Sequence, residues 1–155
     1  MSTVEQRLEA LGLSLPERGT PIANYVGAVR SGNIVYISGH GPTPDPDKIY
    51  VGKVGSDLDV DTAYRAARLV LLNCLTTLKA EIGQLDRVRR VVKLFGMVNS
   101  APGFGQQPKV INGASDLLVE IFGDRGRHAR SAVGMAELPG GIAVEIEMIV
   151  EVEPE

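Results

Sequence analysis

Residues 142–153, IAVEIEMIVEVE, alternate too regularly for anything but a strand. Successive side chains of a strand point to opposite faces, so Ile142, Val144, Ile146, Met148, Val150 and Val152 share one side without interruption. The other side carries Ala143, Glu145, Glu147, Ile149, Glu151 and Glu153. The apolar side must lie on a covering layer of helices, while the carboxylate side meets either water or another subunit. With 155 residues, 44% of them hydrophobic, the chain can build one packed core and is too short for two ordinary domains.

The covering layer is legible upstream. From Asp59 as N-cap, apolar side chains at Ala63, Ala67, Val70, Leu71, Cys74 and Leu78 recur every three or four positions until Gly83, which predicts the longest helix. Pro108 in a first turn, the stripe Val110, Ala114, Leu117, Leu118 and Ile121, and Gly123 as a stop predict another. At the start, Ser2 followed three residues later by Glu5 fits a capping box. Val4, Leu8 and Leu11 then repeat at helical spacing until Gly12.

Residues 25–30 and 33–38 are β-prone runs separated by Ser31-Gly32, a hairpin signal. Residues 87–98, RVRRVVKLFGMV, read as a strand covered on both faces, and residues 129–138 form the strand before the last, ahead of Pro139-Gly140-Gly141. Gly, Pro and Asp crowd residues 41–59 and predict a surface loop around Pro44. The expected organisation is an N-terminal helix and connector over residues 1–20, then a domain over residues 21–155. That domain is α+β, ordered ββ-α-β-α-ββ, with helices on one sheet face. Because the middle strand is apolar on both sides, the uncovered face is expected to be buried between protomers.

A net charge of −3 gives no global reason to approach a phosphate backbone, so nucleic acid is not an expected partner. The single cysteine, Cys74, excludes an internal disulfide and thiolate-rich metal sites, and implies a reducing compartment. Residues 1–13 carry charges throughout, unlike a signal peptide, and no run is long enough to cross a bilayer. A cytoplasmic location, with no membrane partner, is the expectation.

Four blocks carry a family likeness: NYVGAVRSGNIVYISGHGP, VNSAPGF, INGASDLLVEIFG and RHARSAVGMAELPGGIAVEIEMIVEVE. Together, over about residues 21–152, they resemble the Rid/YjgF family, also called the L-PSP endoribonuclease family. The resemblance implies a chorismate-mutase-like fold, a homotrimer built around a barrel of three sheets, and ligand clefts between subunits. It also implies hydrolysis of reactive 2-imino and enamine acids to 2-keto acids and ammonia, with no cofactor. The alternatives are a non-catalytic module binding small carboxylates, and an endoribonuclease.

By the same resemblance, Arg130 is the carboxylate-binding residue, a role suited to a planar guanidinium that can grip both oxygens. Glu145 matches the carboxylate that orients the attacking water. Tyr25, Ser38, Gly39 and Asn112 match positions lining the cleft, and Ala132 stands where deaminating relatives often carry cysteine. His40, in SGHGP, is either a titrating pocket residue or a solvated loop histidine. If the last two strands paired as a tight hairpin about Gly140, Arg130 and Glu145 would be about 17 Å apart. Either the strands are not neighbours or the two residues meet across an interface. The only local basic cluster, Arg125, Arg127 and His128, is the one foothold for a ribonuclease. No metal site is expected, since two histidines without shared helix spacing make a poor ligand set.

Overall fold

The computed structural model describes residues 3–21, 23–43 and 45–155. Ser2, expected as a cap, and Pro44, in the expected loop, lie outside them. Five strands form one sheet: β1 (Ala28–Ser31), β2 (Ile34–His40), β3 (Val88–Asn99), β4 (Ala129–Met135) and β5 (Val144–Val152). Their spatial order is β1-β2-β5-β3-β4, which puts the alternating C-terminal run at the centre. Its apolar side, from Val144 to Val152, is at most 2% exposed.

Three helices supply what covers that side. The short α1 (Val4–Ala10) is capped by Thr3 and Gln6 reciprocally, and buries Val4 and Leu8 in the common core. The long α2 (Val60–Ile82) starts where Asp59 accepts the Thr62 amide at 2.8 Å and ends at Gly83, as the periodicity predicts. The third, α3 (Gln107–Phe122), has proline in its first turn and ends at Gly123. A Cβ at Gly96 of β3 would lie 2.5 Å from Ile111 of α3, so the helix rests directly on the sheet. A Cβ at Gly113 would lie 2.1 Å from the Tyr64 carbonyl oxygen of α2, so the two long helices cross almost backbone to backbone.

Of the two arrangements left open for the last strands, the structure has the one in which they are not neighbours. The turn at Pro139–Gly141, with Gly140 at φ +66°, does not join paired strands. The crossover through α3 delivers β4 to the sheet edge, parallel to β3, and the turn then carries the chain past the end of β3 to the centre. Within one protomer the helices cover β3 on one face only: Arg89 and Arg90 are exposed, Val92 is 38% exposed, and register shifts interrupt its pairing with β5 near both. The outward sheet face also exposes Val29, Tyr36 and Val133.

Candidate functional site

Arg130 is the second residue of β4, on the edge of the sheet. Its register partner Leu94 is fully buried, so the arginine leaves the sheet on the helix side, beside α3. There Nη1 donates to Ser115 Oγ at 3.1 Å and Nη2 to the Pro108 carbonyl at 3.4 Å. The residue is half-buried, and among the described residues no carboxylate stands within ion-pair distance of it. Two of the five N–H donors of the guanidinium are thus committed to neutral acceptors, and three remain for an anion.

The same corner gathers two more of the expected residues. Asn112 follows Pro108 by four positions and precedes Ser115 by three, so all three share the helix face beside Arg130. Ala132, two residues along β4, points to the same side as Arg130. Beyond it, a Cβ at Gly134 would stand 2.8 and 2.9 Å from Ser100 Oγ and Gln107 Nε2, the movable ends of two side chains.

Ser115 and His128 were not singled out for this corner by sequence. His128 Nδ1 lies 2.6 Å from the Gly126 carbonyl, and Nε2 lies 3.0 Å from Ser115 Oγ. A carbonyl can only accept, so Nδ1 carries the proton and Nε2 accepts the serine hydroxyl. Burial above all, aided by the Arg130 charge, holds the imidazole pKa below its ordinary 6.5, against the opposing hydrogen bond to Gly126. Thirteen residues separate Ser115 from His128 and they sit on different elements, so no motif spacing announces the pair.

Glu145 lies on the opposite face. Its chain neighbours Val144 and Ile146 are fully buried and its register partner is Met97, so its carboxyl leaves β5 outward. Burial, reinforced by the charge of Glu147, raises its pKa above 4.5. Gly39 makes room for it, since a Cβ there would stand 3.0 Å from Glu145 Oε2. Ser38 donates to the Val26 carbonyl at 2.7 Å and, with Tyr36, Lys93, Phe95 and Glu147, lines a shallow depression on the outward face. Tyr25, just before β1, is 51% exposed.

Within one protomer these two groups do not meet. Arg130 is level with Leu94 and Glu145 with Met97, and β3 stands between their strands. Two strand spacings across and three residues along place their Cα atoms about 14 Å apart, with side chains departing on opposite faces.

His40 is half-buried and hydrogen-bonded at both ring nitrogens. Its Nδ1 donates to the Ser38 carbonyl at 2.6 Å and its Nε2 accepts from Thr77 Oγ1 at 2.8 Å, pinning the end of β2 to α2. Two arginines of the basic cluster also have partners within the protomer. Arg125 donates to the Val88 carbonyl at 2.6 Å and sits over the Phe122 ring, and Arg127 pairs with Asp124 at 3.3 Å. Among the described residues no three His, Cys, Asp or Glu side chains cluster as metal ligands would, and no helix is long and apolar enough to cross a membrane.

Comparison with known proteins agrees with this architecture. A family model described as "YjgF/chorismate mutase-like, putative endoribonuclease" matches residues 5–144. Protein TCP17 of Trypanosoma cruzi is 46% identical over 149 residues, 96% of this chain and 93% of that protein. The crystal structure of Atu1372, a protein of unknown function from Agrobacterium tumefaciens, is similar with a TM-score of 0.90 at 48% identity, covering 97% of this chain and 92% of that one. A 2-iminobutanoate/2-iminopropanoate deaminase of Dermatophagoides farinae is 29% identical over 142 residues, 91% of this chain and 95% of the relative.

Proposed function

The chain belongs to the YjgF/chorismate mutase-like family, and from that premise we propose that it hydrolyses small 2-imino or enamine acids to 2-keto acids and ammonia, with Arg130 capturing the carboxylate. The observation that carries this reading is a half-buried guanidinium tethered by two neutral acceptors, with no acidic partner among the described residues. A cation so held is complementary to an anion that arrives from solution, and the family relationship to a 2-imino acid deaminase supplies the class of anion.

In this reading the protein is a homotrimer, and Glu145 of a second copy faces the Arg130 corner of the first. Water attacks the C=N carbon while Glu145 takes its proton, and the π pair moves to nitrogen. That proton passes to the nitrogen to give a carbinolamine; Glu145 then takes the carbinolamine hydroxyl proton and hands it to the amine, the oxygen pair forms C=O as the C–N bond breaks, and ammonia leaves a 2-keto acid. A raised pKa suits a carboxyl that must both accept and return a proton near neutrality. Asn112 and the groups near Gly39 and Ser38 fix the remaining polar atoms of the ligand, and Tyr25 closes the cleft. The test is semicarbazide trapping of the imine generated by a threonine dehydratase. We expect accelerated imine loss with the wild type and about 100-fold less or weaker with Arg130→Ala, the usual scale for losing a bidentate charged contact. Full activity in that variant rejects the proposal.

A second reading is favoured by one observation: the two functional groups lie on opposite faces of the protomer's sheet. If assembly does not unite them, the Arg130 corner binds small carboxylates without turnover. Titration with 2-oxobutyrate beside the deaminase assay separates the cases, since this reading predicts affinity with no rate.

A further inference from the structure

Arginine side chains are long and lose much rotamer freedom on binding, so a site that uses one gains from holding it in place beforehand. The Arg130 corner contains such a device, made of residues that no part of the proposed reaction uses. The Gly126 carbonyl fixes the imidazole of His128 through Nδ1, His128 Nε2 accepts the Ser115 hydroxyl proton, and Ser115 Oγ, its proton committed, presents a lone pair to Arg130 Nη1.

We propose that His128 and Ser115 are positioning residues that aim Arg130 at its carboxylate ligand. This rests on the carboxylate-capture reading above and deepens it, because it names what sets the strength of that site. Every link runs in one direction only. A backbone carbonyl accepts from the histidine, so the histidine must accept from the serine, and a serine that has given its proton away can only accept from the arginine. Each donor is thereby matched to one acceptor, and the guanidinium has one orientation in which both Nη1 and Nη2 are satisfied, the second by Pro108. The three side chains come from α3 and from β4 and the turn before it, so the chain of bonds also clamps helix to strand where the ligand would dock. The low pKa of His128 is consistent with this, since a neutral ring is the form able to accept.

The experiment uses the full-length protein and 2-oxobutyrate as the probe, titrated by calorimetry at pH 7.5. Ser115→Ala and His128→Leu each remove one link, and each is expected to weaken binding about three- to tenfold, the cost of immobilising one long side chain anew. Ser115→Thr keeps the hydroxyl and His128→Gln offers an acceptor near the Nε2 position, so both are expected to restore affinity to within about twofold. A merely structural role would not be rescued by acceptor chemistry alone. Arg130→Ala is the reference. If it binds like the wild type, the carboxylate reading itself falls. If it loses binding while Ser115→Ala and His128→Leu keep wild-type affinity, the positioning inference alone is overturned.

Nitrogen NMR of the His128 ring supplies a readout that needs no ligand and no variant. We expect an unprotonated Nε2 and a protonated Nδ1 at pH 7.5, and the reverse tautomer would overturn the inference even if every variant misfolded. The Arg130 Nε–Hε signal should also lose rigidity in Ser115→Ala, whether or not 2-oxobutyrate binds.

Discussion

The crossing of α2 and α3 offers a test in which two effects of opposite sign can be weighed. Replacing a helical glycine by alanine ordinarily stabilises by about 1 kcal/mol through backbone entropy. At Gly113 the new Cβ would meet the Tyr64 carbonyl oxygen at 2.1 Å, its carbon at 3.0 Å and the Ala67 Cβ at 3.2 Å. The first two are backbone atoms inside a long helix, so no rotamer change relieves them. The helices must separate by roughly 1 Å, and a gap of that size forfeits about a quarter to a half of each dispersion contact it opens. Ala63, Ala66, Ala67 and Val70 of α2 and Val110, Ala114 and Leu117 of α3 are all fully buried, so the loss is shared by a whole interface. Overpacking of this kind costs about 3 kcal/mol, the upper end of its usual range, leaving a net loss of about 2 kcal/mol after the entropic gain. For a chain of this size that lowers Tm by about 4–8 °C. Differential scanning calorimetry of Gly113→Ala and wild type at one protein concentration measures it, since the proposed assembly would make Tm concentration-dependent. A Tm equal to or above wild type would show that the helices do not approach this closely, and the reasoning from backbone contact would be refuted.

Two predictions concern charge. His40 and His128 both have folded pKa values below 6.5, so between those values and 6.5 the unfolded chain binds more protons than the folded one. Their stabilisation is complete above 6.5 and falls as pH drops below it, and the denaturant midpoint should decline over that window less steeply in His40→Gln than in wild type. Glu145 has the opposite sign: its folded pKa lies above 4.5, so the native state binds the extra proton and stability falls as pH rises through the window between the two. Glu145→Gln should therefore be at least as stable as wild type at pH 8, with the difference shrinking toward pH 4. A variant clearly less stable than wild type at pH 8 would contradict the buried-carboxyl account.

What the sequence made legible follows from which interactions are local. The alternation of residues 144–152 and the stripe from Ala63 to Leu78 are periodicities that a burial pattern writes directly into the chain, and both elements form where expected. The partner of β4 is not local. Pro139-Gly140-Gly141 has the composition of a hairpin turn, yet the strand before it is held by β3, because α3 must cross the sheet before the chain can pair again. Only a tertiary contact distinguishes these outcomes. The same limit hid the His128–Ser115–Arg130 chain, which depends on packing α3 against β4 and has no signature in spacing. Arg130 itself was found through family likeness, and its local surroundings would otherwise read as one more cation in a basic run.

The parallel placement of β4 has a consequence for how the candidate site can be completed. Arg130 sits on the helix side of the sheet edge and Glu145 on the outward face, so no single flat patch of the protomer contains both. A two-fold dimer is made from one such patch meeting itself, and it would have to bring together residues that face away from one another. A head-to-tail contact has no such difficulty, because it joins two different surfaces, the Arg130 edge of one copy and the Glu145 face of the next. The charges favour that arrangement. At the far end of the outward face Arg89 lies 3.9 Å from Glu151 and 3.6 Å from Glu153, whereas Glu145 and Glu147 have no ion pair among the described residues. The free cation and the free carboxylates therefore lie on the two surfaces that a ring would bring together. Closing such contacts into a ring would also cover the exposed Val29, Tyr36 and Val133, which supports the homotrimer proposed above.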